Sequence, residues 1–362
     1  EIYTLSLHDA LRSRLSDLGR LDFSAQPVPD ATRDDFDPLE RDRLRRIIGT
    51  YQSSDRNLLE LTDEELEKSL QLTVTVDGKT MPTLTGLLLL GKGESLKRFV
   101  PTHRASFQVM SGTDIKVSQD YAGPLLKTIE QINDMFSPWN PSVELSVGLF
   151  SMIVPEFDHR AFREALVNAF GHRDYTLLGR VRVQLDDAGL TIANPGGFVE
   201  GINIHNLLTA EPHGRNPCLM DALKRTGLAE RTGRGIDRIC EGSLHYGRPL
   251  PDYTASNERN VSVYLQRSAP DVEFVRMLAE EQERTGKTMP VNGLLILNML
   301  RNERRCTFET MNKKLDMSEQ RLRAMLGQLT ESGMIEGSGN GSRRTYTLGS
   351  TVYRRTGKIG RA

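Results

Sequence analysis

The chain has 362 residues, 38% of them hydrophobic and 26% charged, with a formal net charge of −1. That length calls for about two or three domains, and the composition excludes a disordered or fibrous chain. No apolar run approaches the roughly 18 residues that cross a bilayer, and Cys218, Cys240 and Cys306 form no zinc-type pair, so a zinc-free protein of the reducing cytoplasm is expected.

Glu1 opens the sequence with no charged-then-apolar leader after it, so a removed start or a further upstream part is expected. EIYTLSLHDALRSRLSDLG reads as a strand and then a helix, and the acid-rich SAQPVPDATRDDFDP as a linker. ERDRLRRIIGTY has the pattern of a charged amphipathic helix. LTDEELEKSL adds a second, with Thr62 and Glu65 spaced as a capping box. TLTGLLLLGKG and HRASFQVM are predicted strands, and AGPLLKTIEQINDMF a helix with Pro near its start. GLLLLGKG places Gly86, Gly91 and Lys92 at phosphate-loop spacing, but Gly93 stands where Ser or Thr is required, which argues against a helicase motor.

A helix is predicted from Asp158 through HRAFREALVNAF, with Phe162, Ala165, Leu166, Ala169 and Phe170 as its apolar arc. RVRVQL and LTIAN alternate about the turn DDAG and read as a hairpin. NPGGF is a loop, helices are expected around Ile204 to Leu208 and Pro217 to Arg225, RTGRGIDRIC is a glycine-rich entry to another helix, and NVSVYLQR is a closing strand. Glu164 and Asn168, four apart, share one helical stripe beside the buried arc. A carboxylate and a carboxamide held in that way suit orienting a water and holding a Mg²⁺ bound to phosphates. The glycine loop TGRGID feeds a helix N-terminus, where bare N–H groups attract anions. Taken singly, such pairs usually sit on solvated faces, and such glycines usually serve turns.

From Val291 to Gly349 the predicted order is helix, helix, helix, hairpin. Thr307 and Ser318 stand as N-caps, and Leu322, Met325, Leu326 and Leu329 form the inward stripe of the third helix. Its outer face carries Gln320, Ala324 and Gly327, flanked by Arg321 and Arg323, a set suited to a major groove. From Arg304 to Ala362, twelve Lys or Arg oppose five Asp or Glu, a surplus of +7 that leaves −8 for the rest. A basic module on an acidic body is the layout of a protein that meets phosphates, and double-stranded DNA is the expected partner. The candidate contacts are Gln320, Arg321 and Arg323 on the third helix, Lys313 and Lys314 before it, and Arg343 and Arg344 at the base of the flexible Gly/Ser/Asn hairpin tip, whose arginines are expected on phosphates. The module read this way is a winged helix-turn-helix; its plain alternative is a bundle for protein contacts.

FREALVNAFGHRDY, then IANPGGF, then RTGRGIDRI followed by a strand resembles a bacterial family of transcriptional regulators. Its members carry a Schlafen-type AlbA-like domain, a GHKL-like ATPase module often labelled as helicase-related, and a terminal winged helix. The resemblance covers about Leu21 to Leu348 and implies a mixed α/β (α+β) chain, a GHKL-like α/β sandwich followed by a winged helix-turn-helix. The expected divisions are 1–36, the tail of the AlbA-like domain and a linker; 37–155, a helical and strand segment; 156–268, the ATPase-like module; and 269–362, the winged helix. It implies ATP and Mg²⁺ as ligands, with Glu164 as base, Asn168 on the metal, and Asn194, Gly196, Gly197, Gly233 and Gly235 around the nucleotide. His172 and Asp174 belong to the family's own HRDY string. Asn194 stands where GHKL ATPases carry the Asp that recognises adenine, which leaves adenine selection open.

Three functions remain at this level: a DNA-binding transcriptional regulator with a nucleotide module, degenerate or weakly ATPase-active; an ATP-hydrolysing enzyme acting on nucleic acid; and a protein-interaction scaffold. Partners on the first reading are double-stranded DNA, a nucleotide and a second copy of the chain, with no membrane.

Overall fold

The computed structural model describes residues 22–147, 150–211, 213–315, 317–350 and 353. The expected strand and helix before residue 19, and the basic residues Arg354, Arg355, Lys358 and Arg361, lie outside them.

Asp37 caps helix α1 (Pro38–Thr50), its carboxylate accepting from the Leu39 N–H, and Pro38 sits in the first turn where its missing donor costs nothing. Helix α2 (Asp63–Ser69) opens on the reciprocal Thr62 and Glu65 bonds. An unforeseen hairpin follows, β1 (Thr73–Val76) and β2 (Lys79–Pro82), turning through Asp77-Gly78 at positive φ.

The run TLTGLLLLGKG, expected as a strand, is helix α3 (Leu84–Leu90). All seven residues are buried, so the segment is apolar on every face and carries no amphipathic period. The Thr83 hydroxyl decides the matter by accepting from the Gly86 N–H at the first turn. Gly86, Gly91 and Lys92 therefore lie on a buried helix and just beyond it, not on a phosphate loop. Helix α4 (Gly93–Phe99) continues the layer.

Strands β3 (Ala105–Ser111) and β4 (Asp114–Tyr121) form an antiparallel pair, followed by helix α5 (Leu125–Phe136) and a two-stranded hairpin, β5 (Ser142–Val147) and β6 (Phe150–Pro155). Helix α6 (His159–Gly171) starts at Asp158, whose carboxylate accepts from the Arg160 and Ala161 N–H groups. The hairpin β7 (Val181–Leu185) and β8 (Gly189–Pro195) forms as expected. Ile204 to Leu208, expected as a helix, is a run of turns; the Asn206 amide accepts from the Asn203 N–H and donates to the Gly201 carbonyl, so a side chain satisfies groups that a helix would pair. Helices α7 (Pro217–Arg225) and α8 (Gly235–Leu244) precede strand β9 (Asn260–Gln266).

The main sheet has the order β4-β3-β7-β8-β9, with β3 parallel to β7 and every other pair antiparallel. The apolar arc of α6 packs with Val183, Leu190, Ile192 and Val263 of this sheet in one core that runs from Ala31 to Leu265. A second core spans Cys240 to Tyr346. It is built by α9 (Val272–Thr285), absent from the sequence reading, then α10 (Val291–Glu303), the short β10 (Cys306–Thr307), α11 (Phe308–Lys314) and α12 (Glu319–Glu331). Strands β11 (Ile335–Ser338) and β12 (Thr345–Leu348) close a three-stranded sheet of order β10-β12-β11. Thr307 and Ser318 cap α11 and α12 as expected. The chain is thus a mixed α/β protein of more than one core. Among the described residues no helix is long and apolar enough to cross a membrane.

The packing of α3 gives a test. A Cβ at Gly86 would lie 2.0 Å from the Leu72 carbonyl oxygen, a backbone atom that cannot swing aside. Gly86→Val should cost about 1–3 kcal/mol or more through overpacking. Thermal unfolding should show a melting temperature lower by several degrees, and an unchanged melting curve would contradict the described seat of α3.

Candidate functional site

Helix α6 turns Glu164, Asn168 and His172, spaced four apart, along one stripe. That stripe lines a cavity of about 550 Å³. Asn194 and Gly197 close it from the end of β8 and the following loop, and Gly233 and Gly235 from the entry to α8. Ile192, Val261 and Val263 give it an apolar floor on the sheet. Seven of the nine expected residues therefore meet at one concave site of ligand-binding size.

The other two, Asp174 and Gly196, are not among its lining residues. Asp174 is buried and accepts from Thr176 and, at 2.9 Å, from the Arg215 guanidinium, which also donates to the Gly197 carbonyl. Gly196, at φ 95°, leaves no room for a Cβ, which would fall 2.8 Å from that of Asp174. Both brace the NPGGF loop from behind. Arg215 is 4% exposed, and burial lowers its pKa to about 10. Removing one partner of such a pair strands a buried charge.

The electrostatics differ along the stripe. Burial pushes the Glu164 carboxyl up to about 7, with Arg163 pulling it back. A carboxyl tuned toward neutrality is the condition for a general base. At the C-terminal end of α6, desolvation drives His172 down to about 4, and Lys224 and His213 push the same way, so its ring is neutral at pH 7. Asn194 is 5% exposed and donates through Nδ2 to the Pro195 carbonyl.

The second glycine loop reaches the stripe by close approach. A Cβ at Gly235 would lie 2.4 Å from Glu164 Oε1 and 3.1 Å from Asn168 Nδ2. A side chain there would displace the Glu164 carboxylate, so the first turn of α8 lies close against the two polar side chains.

Several lining residues escaped the sequence reading: Lys224 on α7, Glu230 before the TGRG loop, and His213 and Gly214 before α7. Glu230, three residues before Gly233, was the legible one, an acid at the mouth of a glycine loop. Lys224 carries no local signal; the turn of α7 toward the cavity brings it in. Among the described residues no group of three or more His, Cys, Asp or Glu gathers as a metal cluster.

On the C-terminal unit, Gln320, Arg321 and Arg323 are exposed on α12, opposite the buried Leu322, Leu326 and Leu329. Three expected cations already have acidic neighbours: Lys313 meets Glu309 at 2.8 Å, Lys314 meets Glu303 at 2.5 Å, and Arg323 meets Glu319 at 3.1 Å. These pairs are exposed and salt-screened, so they yield readily to a stronger anion. Arg323 also lies over the Phe308 ring at 4.3 Å, and Arg344 over Tyr346 at 5.3 Å, while Arg343 ends the turn Gly341–Arg343.

Residues 179–265 match a family model described as "Putative ATP-dependent DNA helicase recG C-terminal", and residues 12–106 match a domain of unknown function, DUF8451. The first covers β7, β8, both glycine loops, α7, α8 and nearly all of β9. No curated protein matches the chain. Among solved structures, the DIP2311 protein of Corynebacterium diphtheriae is similar in fold, with a TM-score of 0.72 at 21% identity, covering 94% of this chain and 67% of that one.

The raised Glu164 carboxyl predicts a pH signature. Because it ionises less readily folded than unfolded, it contributes stability that is full below about 4.5 and lost as pH rises through about 7. Glu164→Gln removes that loss, so its melting temperature relative to the unsubstituted protein should climb between pH 5 and 8. A difference that stays constant over this range would contradict the raised pKa.

Proposed function

We propose that this chain is a DNA-binding regulator with a nucleotide module, in which a GHKL-like module holds ATP between α6 and α8 and the C-terminal unit is a winged helix-turn-helix that docks on double-stranded DNA. The observation that carries the nucleotide half is the single cavity shared by Glu164, Asn168, Asn194 and both glycine loops. The recG-type family match over residues 179–265 supports an ATP-binding module of this class. The apolar floor suits a purine face, and the first N–H groups of α8 suit a phosphate tail. Oxygen donors fit Mg²⁺, which is usually held by one or two protein oxygens together with substrate phosphates; Asn168 would hold it here, and the ion would neutralise phosphate charge. Glu164 would accept the proton of an attacking water.

For the DNA half, the support is the order of three helices and a hairpin, together with the small residues Ala324 and Gly327 on the exposed face of α12. Nothing lies within 4 Å of a Cβ placed at Gly327, so that face admits a groove wall. Regulation of transcription is carried over from the family resemblance alone. The raised Glu164 carboxyl favours a second reading, an ATP-hydrolysing enzyme that acts on nucleic acid.

Two experiments test the proposal. Mg-ATP at a hundred times its dissociation constant should stabilise the fold by about 2.7 kcal/mol, read as a higher melting temperature. Asn168→Ala should lose the shift, and Glu164→Gln should keep it while showing no phosphate release. No shift with ATP or ADP at millimolar levels would reduce the module to a scaffold. Separately, reversing charge at Arg321 and Arg323 should weaken duplex binding at least tenfold while the protein stays folded, its melting lowered only by loss of the exposed Arg323–Glu319 pair and the Arg323–Phe308 contact. Unaltered affinity in the double variant would remove α12 as the docking helix.

A further inference from the structure

Helix α8 belongs to both halves of the molecule. Gly235 and Gly242, seven apart and so on one face, lie against α6: a Cβ at Gly242 would come 2.5 Å from the Ala161 Cβ, as one at Gly235 would meet Glu164. On the opposite face, Cys240 and Leu244 are part of the C-terminal core, beside Leu294 and Leu295 of α10. Ile239, four residues from Gly235 and three from Gly242, shares the glycine face and belongs to the first core, and Ile236 packs against both. Helix α8 thus packs on α6 through its two glycines and on the C-terminal core through Cys240 and Leu244.

A second cavity, of about 1010 Å³, lies between the units. Leu207, Ala210, Gly233 and Ile236 line it as well as the smaller cavity, so segment 204–210 and the entry to α8 form a common wall. Arg321, the first-turn arginine of α12, lines the larger cavity from the far side, together with Lys314. A ligand that presses on the shared wall changes the space in which the expected DNA contacts sit. Packed interiors are nearly incompressible, so displacement on one face of α8 appears on the other.

We infer that the two sites are energetically coupled: occupancy of the cavity between α6 and α8 by a nucleoside triphosphate alters the affinity of the C-terminal unit for duplex DNA, through α8 and the wall 204–210. This rests on the function proposed above and adds to it the link between its halves. The link is a two-way constraint, because a coupling free energy is the same read from either ligand.

The test uses the full chain, a fluorescein-labelled 30-bp duplex and a non-hydrolysable ATP analogue with Mg²⁺ at constant ionic strength. Fluorescence anisotropy should show duplex affinity changing threefold or more when the analogue is saturating, and saturating duplex should change the analogue's affinity by the same factor. Asn168→Ala should lose the response. If both ligands bind and neither moves the other threefold, the inference falls while the proposed function stands. If either ligand fails to bind, that half of the proposed function falls and the inference with it. A response that persists in Asn168→Ala would mean that the analogue competes as an anion at the DNA surface, and would also overturn the coupling.

Discussion

The contact on which the rest depends is the bare approach of α8 to α6. Two glycines bring α8 close to α6, near Glu164 and Asn168 at one end and against Ala161 at the other. At Gly242 a larger residue would meet the Ala161 and Asp158 Cβ atoms, which cannot swing aside, so the helices would have to part there. The same approach presents Cys240 and Leu244 to the C-terminal core. One close packing thus borders the candidate cavity and seats the C-terminal core against α8.

Around that contact the buried charged groups divide by environment. Asp174 is buried with a guanidinium at 2.9 Å, and its task is to tie the end of α6 to the NPGGF loop through Arg215. Glu164 is similarly buried, yet desolvation outweighs the neighbouring arginines and its carboxyl rises to about 7. A buried carboxylate with a close cation is a brace; one whose ionisation is penalised is available to take a proton. His172 completes the stripe as a neutral ring facing Lys224, a polar wall without charge of its own.

The sequence was most legible where one period or one cap dominates. The five-residue arc of α6, the β7–β8 hairpin, the Thr62, Thr307 and Ser318 caps and the glycine entry to α8 all formed as read. It was least legible where burial is total or a partner is remote. Leu84–Leu90 is apolar on every side, so periodicity says nothing and a single threonine hydroxyl sets the helix. Ile204 to Leu208 has helical spacing, but the Asn206 side chain takes the backbone bonds. Seven candidate nucleotide residues converge because a helix stripe and two glycine loops carry local signatures. Arg215 and Lys224 left no such trace, since their roles come from where α7 and its approach fold, forty or more residues from Asp174 and His172 respectively.

The proposed occupant of the cavity between α6 and α8 is a nucleotide. Hydrogen–deuterium exchange of the full chain with and without Mg-ATP reads this directly, segment by segment. With nucleotide bound, exchange should slow first in 159–171, 194–210 and 233–244, with the β3–β4 hairpin unaffected. Protection restricted to the C-terminal unit, or no protection anywhere at saturating ATP, would contradict it.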